Sequence, residues 1–287
     1  DMLRVFQYFA VAGFINAVVL SVLLVVNKNN HLAKLFMIGL ILLNTFQALL
    51  NAFDTREFFQ AYPHLSKISW LTPTLFGPVV YLFTVKLCSP RPSLRKKDLL
   101  HFIPFAIYLI ILTPWFLKSA VLKRAYFDDF ELARTDDFGL LNQLSMLMIL
   151  IYLLATLRYL KKFRAQIEET FSEISRKRVE WMSNFAYAVL AVLIISAMGF
   201  YGHKWDIPVL DAIYHYNYFL VVLLVYWIAY KALLQPVIFD ISPTAENGSP
   251  LRDISSPTTL EAENADEKDS RKYIRSGLDE NRSEYLY

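Results

Sequence analysis

The chain has 287 residues, of which 55% are hydrophobic and only 19% are charged. Soluble globular proteins average about 45–50% apolar and about 25% charged residues, so this composition argues against a water-soluble enzyme. The single cysteine, Cys88, excludes an intrachain disulfide framework and a cysteine-rich metal site, and the net charge of +3 gives no overall signal for nucleic-acid binding.

The two parts of the chain differ in composition. Residues 1–240 contain 23 basic and 16 acidic side chains, whereas residues 241–287 contain 6 basic and 10 acidic ones. The second part is rich in Ser, Pro, Glu and Asp, and it cannot bury enough apolar surface to fold alone. We therefore expect a membrane domain over 1–240 and a largely flexible linker over 241–287.

Seven apolar segments follow one another along the membrane domain. About 20 mostly apolar residues are needed for a helix to cross a bilayer, and backbone groups in lipid must form their hydrogen bonds within the segment. The sequence therefore predicts an all-α, polytopic bundle of seven transmembrane helices. The predicted spans are 5–26, 35–53, 68–87, 99–116, 140–157, 181–201 and 212–230.

The loops predict the orientation of these spans. Fifteen Lys and Arg residues fall on one side and eight on the other, and the side richer in basic residues is the cytoplasmic one. We expect the N-terminus outside the cytoplasmic membrane and the tail in the cytoplasm. Cys88 then lies at the reducing side, which is consistent with a free thiol.

The predicted spans contain no Asp, Glu, Lys or Arg away from their ends. Because intramembrane charges usually mark ion pathways, this argues against an ion-coupled transporter or a voltage sensor. Eight uncharged polar side chains do occur, and they predict either interhelical hydrogen bonds or a polar ligand pocket. They are Asn16, Asn44, Gln47, Asn142, Gln143, Asn184, Ser196 and Asn217.

Two further features of the sequence are prolines in the third apolar segment and the lack of a recognisable catalytic or metal-binding motif. Pro73 and Pro78 lie in the third segment and suggest a bend there, and Pro78 is a candidate for signal relay. No spacing typical of a metal site or a catalytic group is present, so we expect no enzymatic activity, no metal and no cofactor.

Aromatic and imidazole side chains cluster between the sixth and seventh spans. Aromatic rings at this depth usually form a belt at the membrane interface. The alternative is an outward-facing pocket for an unknown small-molecule or membrane-dissolved signal. Its candidate residues are His203, Trp205, Tyr214, His215, Asn217 and Tyr218.

Several short motifs, in this order, resemble membrane-bound AraC-type transcription regulators. The third span contains Gly77-Pro78 followed by Tyr81. Near its end, the tail contains KYIRSGL at 272–278, and acidic residues typical of the start of a helix follow this motif. Between them stand LHFIPF at 100–105, FSEI at 171–174, VEWM at 179–182 and QPVIF at 235–239.

This resemblance implies a sensor region in a bacterial inner membrane. The seventh span would pass a signal through Gln235 and Pro236 to a cytoplasmic helix-turn-helix domain, which would follow Tyr287 and is not in this chain. DNA would be a partner only through that domain, and a homodimer is plausible because many such readers bind paired half-sites. The alternative is a carrier or channel for a neutral solute.

Overall fold

The computed structural model describes residues 2–26, 31–89, 92–167 and 173–234, and within these ranges the chain is helical and contains no strand. The predicted linker 241–287, together with Gln235 and Pro236, lies outside the described residues. The α-helices are α1 (Met2–Val26), α2 (His31–Ala52), α3 (Arg56–Ala61), α4 (Pro73–Cys88), α5 (Ile103–Phe116), α6 (Ala120–Asp128), α7 (Phe130–Asp137), α8 (Leu140–Ile167), α9 (Glu173–Lys204) and α10 (Pro208–Leu234).

The apolar segments of the sequence correspond to the long helices, which confirms the all-α class. In the part of the chain that the structure describes, five helical stretches are long and apolar enough to cross a membrane, and a bent pair makes a sixth if it counts as one span. The chain therefore has the character of a multi-pass membrane protein. That α10 forms a seventh span, and that the tail is cytoplasmic, stay predictions. The five stretches are Gln7–Val25, Leu32–Ala52, Lys96–Phe116, Glu131–Ala165 and Arg176–Lys204.

The bent pair contains the bend suggested by the prolines. Two short 3₁₀ turns within Pro63–Trp70 meet α4 at an angle of 43°. Pro73 is the first residue of α4, where its missing N–H has no helical partner to lose. Pro78 lies inside α4 and is buried, so the break itself lies before Pro73.

The long helices pack as neighbours around α2 and α8. α2 contacts α1, α4 and α10, while α8 contacts α4 and α9, and α9 contacts α10 over much of its length. A continuous apolar core fills the half of the bundle nearest the predicted cytoplasmic side. Its fully buried members include Met37, Leu40, Phe83, Leu153, Met182 and Phe185.

The hairpin between α9 and α10 depends on two glycines. A Cβ atom on Gly199 would stand 2.7 Å from the backbone nitrogen of Tyr214, and one on Gly202 would collide with Leu210. The turn that follows includes Asp206 in a left-handed conformation, with φ of 53°. The two helices therefore approach each other more closely here than any larger residue allows.

Candidate functional site

A cavity of about 280 Å³ lies between α2, α8, α9, α10 and the bent pair. Each helix lines it with residues three or four positions apart, which share one helical face. On α2 these include Asn44, Gln47 and Asn51, and on α10 they include Tyr214 and Asn217. The cavity occupies the half of the bundle nearest the predicted outer side, beyond the apolar core.

The mouth of this cavity is polar. The carboxyl groups of Asp54 and Asp137 border it, one just after α2 and the other at the last residue of α7. Asn51 near the end of α2, Asn142 near the start of α8 and Tyr214 in the second turn of α10 also line the cavity.

The floor of the cavity is apolar. Phe76, Ile149, Val189 and Leu224 line the ends of the lining faces nearest the core. From Tyr214 to Leu224, ten residues at 1.5 Å per residue span about 15 Å along α10. The cavity is therefore amphipathic, with polar groups at its mouth and hydrocarbon at its base.

Hydrogen bonds fix several of the polar side chains. Gln47 Nε2 donates to Asn51 Oδ1 at 2.8 Å, and the hydroxyl of Thr72 donates to Gln47 Oε1. The amide of Asn142 donates to the carbonyl of Asp137 at 2.7 Å. The bond between Thr72 and Gln47 joins α2 to the residue that precedes α4, so an interhelical hydrogen bond and a polar cavity occur together.

The two carboxyl groups at the mouth have no hydrogen-bond or ion-pair partner among the residues that the structure describes. They are close enough to interact electrostatically. Asp54 is exposed to the cavity, but the protein atoms around it replace part of its water and raise its pKa from 3.8 to about 6, because partial desolvation disfavours the anion. Of the described side chains that line the cavity, two are acidic and none is basic.

A lysine beside the mouth is already neutralised. Lys67 Nζ lies 2.9 Å from Asp136 Oδ2 and 4.3–4.5 Å from the ring centroids of Trp70, Trp115 and Tyr126. We call this arrangement the Lys67 cage. Cation–π contacts with three rings and one carboxylate stabilise the ammonium where it is. Trp70 also lines the cavity, so the cage forms part of its wall.

The candidate pocket residues from the sequence fall in different places. Tyr214 and Asn217 line the cavity, and the His203 ring stacks on Tyr214 with centroids 4.5 Å apart while its Nδ1 pairs with Asp211. Trp205 is 64% exposed, stacks on Tyr201 and is not one of the lining residues. The side chains of His215 and Tyr218, like the relay candidates Gln235 and Pro236, lie outside the described residues.

Five of the eight uncharged polar residues noted in the predicted spans line this cavity. From the sequence, a polar pocket was one of two interpretations of these residues, and interhelical hydrogen bonding was the other. Asn184 is exposed instead, and Gln143 donates to the carbonyl of Phe138 at 2.9 Å. The five are Asn44, Gln47, Asn142, Ser196 and Asn217.

Sequence reasoning missed the acidic pair. Neither Asp54 nor Asp137 is among the candidate site residues from the sequence. The available signal was their position, because the second span ends and the fifth begins on the same predicted side of the membrane.

Within the described ranges, no group of three or more His, Cys, Asp or Glu side chains is placed to hold a metal ion. Comparison with protein-family models, with curated proteins and with solved structures gives no match for this chain. The functional argument therefore depends on the cavity.

Proposed function

We propose that this chain is the sensory domain of a membrane-bound one-component transcription regulator of the AraC type. A small ligand from the outer side or from the bilayer would bind in the cavity. The observation that supports this is the convergence of five helical segments, including α10, on one amphipathic cavity. α10 is the helix that leads to the tail, and the tail motifs resemble the junction to a helix-turn-helix domain.

Ligand binding at this position would act on α10 directly. Tyr214, Asn217, Val221 and Leu224 of α10 all line the cavity, so a ligand contacts the helix over about 15 Å. A ligand shifts an equilibrium between two arrangements only by binding one of them more tightly. We propose that the position of α10 against α2 and α9 distinguishes the two arrangements.

A carrier for a neutral solute is the second candidate, and the polar side chains of the cavity favour it. A carrier also needs a route to the opposite side of the membrane. Leu40, Phe83 and Phe185 are fully buried in the core beyond the cavity, so these packed side chains would have to separate for a solute to pass. This arrangement favours a receptor.

A variant that fills the cavity tests the sensory role. Ser196→Phe places a benzyl group among the lining residues, whereas Ile194→Phe changes a residue on the same helix that is 53% exposed. In a promoter-reporter strain with the complete gene product, we expect Ser196→Phe to hold the output at one level whatever signal is supplied. Ile194→Phe should respond as the wild type does.

Normal signal response in Ser196→Phe, at normal expression, would reject the cavity as the sensory site. Uptake of a solute by the purified protein in liposomes, without any change of promoter output, would instead favour the carrier.

A further inference from the structure

The charge balance at the mouth of the cavity is negative. Asp54 and Asp137 line it and form no direct ion pair in the described part of the chain, and the one lysine whose charge reaches Asp137, Lys67, is bound directly to Asp136. Two nearby carboxylates repel each other, and Asp54 and Asp137 do so although both side chains are exposed to solvent. A positive charge between them would relieve this repulsion.

The floor and walls determine what kind of cation fits. The base is hydrocarbon, and the aromatic side chains of Phe76, Phe200 and Tyr214 border the cavity, whereas the Trp70 ring already contacts Lys67 Nζ at 4.3 Å. Aromatic faces attract ammonium groups, and an apolar body gains free energy on leaving water. A small hydrated metal ion would leave this apolar floor unfilled.

We propose that the cavity binds an amphiphilic organic cation, with its ammonium group held between Asp54 and Asp137 and its alkyl or aryl body on the apolar floor. This inference rests on the proposed sensory function and specifies the ligand class for the same cavity. The volume of about 280 Å³ suits a primary or secondary amine with one ring or a short alkyl chain.

Three probes of nearly equal shape and different charge test the ligand class. They are phenethylamine, which is cationic, 2-phenylethanol, which is neutral, and 3-phenylpropanoate, which is anionic. Binding to the purified full chain in one detergent is measured by titration calorimetry at pH 7.5. We expect phenethylamine to bind about 10- to 100-fold more tightly than the alcohol, which is the range for a hydrogen bond to a charged group, and the propanoate to bind least.

Neutral variants separate the carboxylates from the rest of the cavity. Asp54→Asn and Asp137→Asn should each weaken phenethylamine binding by about 10-fold or more and leave 2-phenylethanol unchanged. Asp128→Asn is the matched control, because Asp128 pairs with Arg56 at 2.8 Å and does not line the cavity. Elution volume and melting temperature confirm that each variant is folded.

Two results would overturn the proposed ligand class: equal affinity for amine and alcohol in the wild type, or no amine binding by folded protein. If Ser196→Phe still fixes the promoter output in that case, the sensory function stands and only the ligand class is wrong. The converse result is that amine binding depends on charge while promoter output changes neither with added amine nor in Ser196→Phe. That result supports the cation site and rejects the sensory function.

Discussion

Gly199→Ala tests whether the contact between α9 and α10 shapes the cavity. The added methyl group would stand 2.7 Å from the nitrogen of Tyr214 and 3.0 Å from its Cα and from the carbonyl carbon of Ile213. All three are backbone atoms, so no side-chain rotation can relieve the overlap. The start of α10, which carries Tyr214 into the cavity, must move.

The size of the effect follows from these distances. Ordinary contacts of a Cβ atom begin near 3.4 Å, so α10 must move away by about 0.7 Å at this point. Overpacking of this kind costs about 1–3 kcal/mol, and alanine recovers about 0.5–1 kcal/mol through its better helix propensity. We expect a net loss of about 1–2 kcal/mol, which lowers the melting temperature by about 2–8 °C for a domain of this size.

Gly39→Ala is the matched control, because a Cβ on Gly39 in α2 meets no atom within 4 Å. It should leave the melting temperature unchanged or raise it. Thermal unfolding of both variants is followed by tryptophan fluorescence in the same detergent. If Gly199→Ala melts together with Gly39→Ala and the wild type, the close approach of α9 and α10 is not as described.

Three further predictions concern charged groups. Lys67→Met removes the cation from the Lys67 cage and should lower the free energy of unfolding by about 2–3 kcal/mol. Lys118 is exposed and contacts one ring at 5.0 Å, so Lys118→Met should leave the stability unchanged. Equal melting temperatures for Lys67→Met and Lys118→Met would refute a stabilising role of the Lys67 cage. Lys86 and Asp98 form a 2.6 Å ion pair with side chains 6% and 14% exposed, so Lys86→Met should cost about 3–5 kcal/mol. Chemical denaturation should show part of that loss recovered in Lys86→Met/Asp98→Leu, which also loses the hydrogen bond from Arg95 N–H to Asp98, and no recovery would contradict the pairing. Because the pKa of Asp54 is raised to about 6, the folded protein holds this proton more tightly than the unfolded chain, and its contribution to stability is lost as pH rises from about 4 to about 6. The melting-temperature difference between wild type and Asp54→Asn should change between about pH 4 and about pH 7 and stay constant above that, and a flat difference throughout would count against the raised pKa.

The sequence by itself determined the helical class and the approximate limits of the long helices. The segment 181–201 lies within α9 and 140–157 within α8, because a continuous apolar segment that crosses lipid can satisfy its backbone hydrogen bonds within itself only as a helix. The hydropathy of a segment depends only on the residues within that segment, so it can be calculated without knowing which helices pack against it. The bend near Pro73 was predictable for a similarly local reason, since proline cannot donate the hydrogen bond that would continue a preceding helix.

Only the tertiary structure decided which polar side chains meet. Asn44 and Ser196 line the cavity while Asn184, also in a predicted span, is exposed. The difference depends on how far each helix is rotated about its axis, and that rotation is set by packing contacts such as the one at Gly199 rather than by composition. Asp54 and Asp137 are 83 positions apart in the chain, and no local sequence pattern connects them. Their proximity arises because α2 ends and α8 begins on the same side of one bundle.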